Sequence, residues 1–392
     1  MKKIMLLGAV ALAGIISSCS SDETLSSNNQ NSDLQEIKIG FGANTVVSTR
    51  GTGTVGSTDG GTNSWNGQKI NIFMLERGTT NLALFENEGA IYDNEVFVAP
   101  IAMASGIALP EDNRVKYYPT QGAFDFWGYR LDGCETGPYT ASDDKIEIPF
   151  TMDGSQDIMV GKAVPTAEEI AACKKDGGEP EPDRIYSAFA ARRNIQPNIT
   201  FKHLLSRLTF SVLAGNQAIC SSDGVKVTAI EVVSKNSGKL IAAYTGSEID
   251  QIVFDDTETN LILKQRATGA ATNENLVDLE AVTPEWDAVG DVAKETAVGE
   301  ALLVAPSAEY KLIIRLSQTV KTDYSNPSAT TVKEFAYEDV LTTPSGFEAG
   351  KSYNVKITVY GLSEIKVNTT LTPWVDGGNI DMIPEDNGRP TI

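Results

Sequence analysis

The chain has one histidine, His203, in 392 residues. One imidazole cannot build a histidine-rich metal site, and no recognisable triad arrangement surrounds His203. Cysteine is nearly as scarce. Cys134, Cys173 and Cys220 lie far apart, form no CxxC and are odd in number once Cys19 is set aside. No disulfide framework is implied, and buried free thiols are expected. Positive charge is short as well: 32 Lys and Arg against 52 Asp and Glu leave a formal charge of −20. A surface of that sign repels phosphate backbones, so nucleic acid is not an expected partner. Long apolar runs are also missing. The run from Ile4 to Ile16 holds thirteen residues, too few for a spanning helix, which needs about 20.

That short run is still informative. Lys2-Lys3 precede it and Ser17-Ser18-Cys19 follow it, the order of basic start, apolar core and small residues found in a secretory signal. The end of the run resembles a bacterial lipoprotein box, cut before Cys19 and acylated on that thiol. Residues 1–18 are then a signal peptide, and the working chain hangs from the outer membrane by lipid on Cys19. Residues 19–36 are polar and too poor in apolar side chains to offset ordering entropy, which makes them a flexible tether. Asp22-Glu23 resembles the acidic surface-export tag of Bacteroidetes lipoproteins.

The remainder alternates with period two. Ile37, Ile39, Phe41 and Ala43 make one run. Others lie near 69–75, 95–99, 115–118, 123–130, 145–150 and 157–163. Later, Leu208, Phe210 and Val212 alternate with Thr209 and Ser211. Runs 225–234 and 239–244 flank Asn236-Ser237-Gly238, read as a hairpin loop. Tyr353 to Val359 and Ile365 to Leu371 close the series. Many short strands between Gly, Asn, Asp and Pro predict an all-β chain of β-sandwiches. One short helix is expected, because Thr166 and Glu169 fit a capping box and Gly177-Gly178 would stop it. It opens a Pro-, Gly- and charge-rich stretch, 165–198, which sets two domains at 37–198 and 199–392.

Several motifs carry no chemistry. Gly51 to Gly56 matches GxGxxG, but Ser57 to Ser64 is loop material where a dinucleotide site needs a helix. Asp255-Asp256 and the acids from Asp376 to Asp386 lack the spacing of a calcium loop and read as solvated turns. With 52 acids, sequence cannot select a pair for glycoside hydrolysis. No cofactor and no catalytic residue is indicated. His203 sits where apolar parity shifts, from Phe201 and Leu205 to Leu208 and Phe210. A structural histidine at a break near Ser206 is expected.

Phe201 to Val212 (FKHLLSRLTFSV) also resembles the His-containing strand of the fimbrillin family, the type V pilus subunits of Bacteroidetes. Phe41 to Arg50, Trp65 to Met74, Tyr117 to Tyr129, Gln156 to Lys162 and Tyr353 to Trp374 resemble further segments in the same order. The resemblance implies two tandem transthyretin-like (Greek-key) sandwiches, no enzyme activity and a place in a surface fimbrium. It also implies partners: other pilus subunits and an arginine-specific maturation protease. Arg50, followed by Gly51, is then the processing site, and cutting there releases both the lipid and the strand at 37–43. A C-terminal region, 363–392, is the expected donor to the next subunit, with a permanent edge strand as its alternative. The rival function is a surface lipoprotein that binds glycans on exposed aromatics. Trp65, Trp127, Trp286 and Trp374 are scattered, which favours core roles.

Overall fold

The alternating runs form strands because every second side chain is apolar, so each strand must bury one face. A computed structural model describes residues 69–85, 89–98, 116–131, 133–221, 224–267, 276–323, 325–326, 328–362 and 364–372. They are all-β, in four principal sheets with two short helices and small hairpins.

The first sheet runs in the order Ile199–His203, Met159–Ala163, Phe124–Arg130, Lys69–Glu76, Glu95–Val98. The second is built on Ile252–Phe254, Ser237–Tyr244, Lys145–Thr151 and Glu135–Thr136. Phe73, Leu75, Trp127, Tyr129 and Val160 on the first sheet share a core with Ile146, Ile148, Phe150 and Leu240 on the second. The opposite face of the first sheet is buried as well. Ile70, Ile72, Met74, Phe126 and Phe201 lie under Cys173, Ile185, Tyr186 and Ala190. Residues of the Pro- and Gly-rich stretch therefore form a third layer.

The second sandwich pairs two more sheets. One has the order Thr296–Val304, Ser206–Ala214, Ser352–Gly361, Glu364–Thr372. The other has the order Glu258–Ile262, Val225–Lys235, Ser307–Lys321, Thr330–Phe347. Val212, Val355, Ile357, Val232 and Ile314 fill the space between them, in a core continuous with that of the first sandwich. Residues 199–203 and 237–244 lie beyond the 198/199 boundary in sequence, yet they pair with strands that precede it.

Four local expectations change. Asn236 does not close a hairpin: Val225–Lys235 and Ser237–Tyr244 lie in different sheets, and Asn236 passes the chain between them. Its backbone carbonyl accepts from the Met152 amide at 2.8 Å, and its side-chain amide donates to the Met152 carbonyl at 3.2 Å. The Thr166–Glu169 capping box is formed, but the helix Ala167–Ala172 stops at Cys173, ahead of the glycines. Cys173 is buried and its carbonyl accepts from the Glu181 amide at 2.6 Å, while the glycines serve the turn that follows, where Gly177 has a φ of 69°. A second helix, Ala188–Ala191 capped by Ser187, is present within the same stretch. Of the run 115–118, the described residues 116–118 form only a bridge at Tyr117 rather than a strand.

Candidate assembly surface

The two flanks of the second sandwich differ. On one flank, Thr296–Val304 and Glu258–Ile262 are neighbours, and the small hairpin of Lys264–Arg266 and Leu276–Asp278 packs over them. Arg266 and Glu300 close this side at 3.2 Å. Burial pushes the Glu300 carboxyl up, while Arg266 and Arg207 oppose the shift.

On the other flank, Thr330–Phe347 and Glu364–Thr372 are the outermost strands of their sheets and lie against one another. Among the described residues neither has a second neighbour in its ladder. Thirteen consecutive residues, Thr330 to Thr342, pair with Glu309 to Lys321 on one side only, before a shift in register. Its inward row is graded. Leu341, opposite Tyr310, is 2 % exposed. Tyr337, opposite Ile314, is half-buried, and Phe335, opposite Leu316, is 41 % exposed. The outward row carries exposed Val332 and Val340 beside Glu334 and Glu338. On the facing sheet Ile365 is buried and Val367 is half-buried. Free backbone groups beside an apolar row are what a sheet edge offers to an added strand. The charged side chains on Thr330–Phe347 also discourage indiscriminate pairing.

Cys19, Arg50, Gly51, Trp65, Trp374 and the Gly51–Gly56 motif lie outside the described residues, as does the run 37–43. Asp255 accepts from Ser237 at 2.8 Å and Asp256 pairs with Lys235 at 3.1 Å, so both belong to a turn. Among the described residues no group of His, Cys, Asp and Glu gathers as a metal site, and no helix is long and apolar enough to cross a membrane. Cys134, Cys173 and Cys220 are unbridged.

His203 is the last residue of its strand, and the chain changes sheet across Leu204-Leu205, as the parity shift predicts. Its Nδ1 lies 2.5 Å from Asp157 Oδ2, with both side chains fully buried. The second carboxylate oxygen, Oδ1, makes no hydrogen bond. Sealed in this way, the pair acts as a structural fastening. Sequence reading missed Asp157 because 46 residues separate the partners. Trp127 is 3 % exposed under the first sheet. Trp286 is half-buried and its indole donates to Asp291 at 3.2 Å. Trp127 therefore offers no open ring face of the kind a sugar stacks upon.

The fimbrillin-like family model matches residues 49–374. The chain belongs to the fimbrillin-like family. This membership supports a fimbrial or adhesion subunit at the cell surface. Solved structures of low similarity include a candidate cell adhesion protein from Bacteroides uniformis ATCC 8492, at 15 % identity and TM-score 0.44, covering 88 % of this chain and all of that one. Another is a candidate cell adhesion protein from Bacteroides eggerthii DSM 20697, at 14 % identity and TM-score 0.41, covering 86 % and 95 %. The fimbrial anchor protein Mfa2 from Porphyromonas gingivalis is similar at 11 % identity and TM-score 0.32, covering 81 % and 95 %. No curated relative matches the sequence.

Proposed function

We propose that this protein is a structural subunit of a surface fimbrium, exported as a lipoprotein on Cys19 and assembled by strand removal and strand exchange. The observation that carries the reading is the pair of sheet edges, side by side on one flank of the second sandwich, that have no further strand among the described residues. A sandwich with such edges is completed when another chain supplies a strand. In this reading an arginine-specific protease cuts at Arg50, before Gly51. One cut then releases the lipid together with the strand at 37–43 and opens a groove. The region 363–392 of a neighbouring subunit supplies the replacement. The protein has no catalytic role, and its partners are other subunits and the outer membrane.

The test is Arg50→Ala in cells that make the fimbrium. The expected product is an uncut, lipid-bearing monomer at the membrane, seen by gel mobility and N-terminal sequencing. Normal polymers from that variant would remove Arg50 from the mechanism. A companion chain lacking 375–392 is expected to fold and to stay out of polymers.

A further inference from the structure

Ser352–Gly361 lies in the middle of its sheet. It pairs in parallel with Ser206–Ala214 from Arg207↔Ser352 to Ala214↔Val359, without a break in register. On its other side it pairs with Glu364–Thr372, from Val359↔Ile365 to Ser352↔Thr372. Val355, Ile357 and Val359 are fully buried in this arrangement, and Ile365 is buried beside them. Thr330–Phe347 rests against Glu364–Thr372 from the facing sheet.

The end of Glu364–Thr372 lies beside the crossing between the sandwiches. Thr372, Ser352 and Arg207 share one row across three strands. At that row the chain crosses between the sandwiches, and the crossing is densely bonded. The Gly350 amide donates to the Leu205 carbonyl at 2.8 Å, and the Arg207 amide donates to the Lys351 carbonyl at 3.0 Å. Ser206 Oγ donates to the Glu348 carbonyl at 2.9 Å. Stripping Glu364–Thr372 away would break a full ladder and open the core over Ile357 and Val359.

We propose that Glu364–Thr372 is a permanent strand of the second sandwich, kept when subunits join, so that C-terminal exchange is confined to residues after Thr372. This rests on the strand-exchange reading and divides the 363–392 region within it. The strand is structural, and the exchanged segment departs from the junction between the sandwiches.

A disulfide lock tests this. Thr358 and Lys366 stand directly opposite in register, half-buried and exposed on the outer face, within reach of a bridge once both are cysteine. The full chain carrying Thr358→Cys and Lys366→Cys is expressed where filaments form. The bridged fraction is then compared between polymer and monomer. No loss of the bridged form from the polymer is the expected result. Polymers that exclude the bridged chain, and accept it after reduction, would overturn the proposal while leaving strand exchange standing. Normal polymers from the 375–392 deletion would instead overturn the exchange reading. A further measurement does not depend on assembly: amide exchange in the full-length chain in detergent. The amides within 365–371 that bond to 353–359 are expected to be protected, every second one along this edge strand, and free-peptide rates at those amides would also refute a permanent strand.

Discussion

Glu231 shows how one side chain joins three strands. It is buried on the outer face of its sheet, accepts from Asn260 at 2.8 Å and is ion-paired with Arg315. Burial raises its carboxyl pKa, but the hydrogen bonds from Arg315 and Asn260, helped by the Arg315 charge, prevail and lower it. A carboxyl lowered in the folded state stabilises above its unfolded pKa, about 4.3. That stability is lost as pH falls through the folded value. Glu231→Gln is therefore expected to be less stable than the parent at neutral pH and to close the gap toward about pH 3. Urea midpoints across that range check it, and a constant difference would remove Glu231 from the acid limb. His203 and Asp157 illustrate the limit of sequence at this scale. The break beside His203 was legible from parity, whereas its partner was not, because only the fold brings residues 157 and 203 together.

At the scale of an element, the first sheet depends on room for one ring. Gly161 and Gly128 are paired across neighbouring strands, and Phe201 is the register partner of Gly161 on the other side. A Cβ on Gly128 would come within 2.7 Å of the Phe201 ring, and one on Gly161 within 2.3 Å of the Thr200 carbonyl oxygen. The latter contact is with backbone and cannot be relieved by a rotamer. Gly161→Ala is expected to cost about 1–3 kcal/mol, as overpacked sites do. Chemical denaturation measures this, and a neutral result would show that the edge strand Ile199–His203 shifts freely. Most strands were legible as elements, since alternation records which face is buried. The hairpin reading at Asn236 failed because two adjacent strands with a short link also fit a sheet-to-sheet crossing. Tertiary bonds from Asn236 to Met152 decide between them.

At the scale of the molecule, the two sandwiches are joined by more than a linker. Leu205 to Arg207 bond to residues 348–351 at the crossing. One apolar core continues from Phe73 through Val212 to Ile365. Units that share a core and exchange strands unfold together. A single thermal transition is expected, coincident by tryptophan fluorescence and far-ultraviolet circular dichroism. Two separated transitions would show that the sandwiches are independent. Reduction should leave the transition where it is, because the three described cysteines are unbridged.

Period-two alternation, the helix cap, the scarcity of histidine and the ordered family segments were determined by the sequence alone. Each is local, or repeats along the chain at fixed spacing. Tertiary structure decided which strands share a sheet, that the 165–198 stretch covers the first sheet, and that two edges on one flank have no further strand among the described residues. Those outcomes depend on pairings between residues far apart in the chain. Backbone hydrogen bonds do not distinguish one apolar strand from another, so only the packing of side chains from both sheets selects the partners.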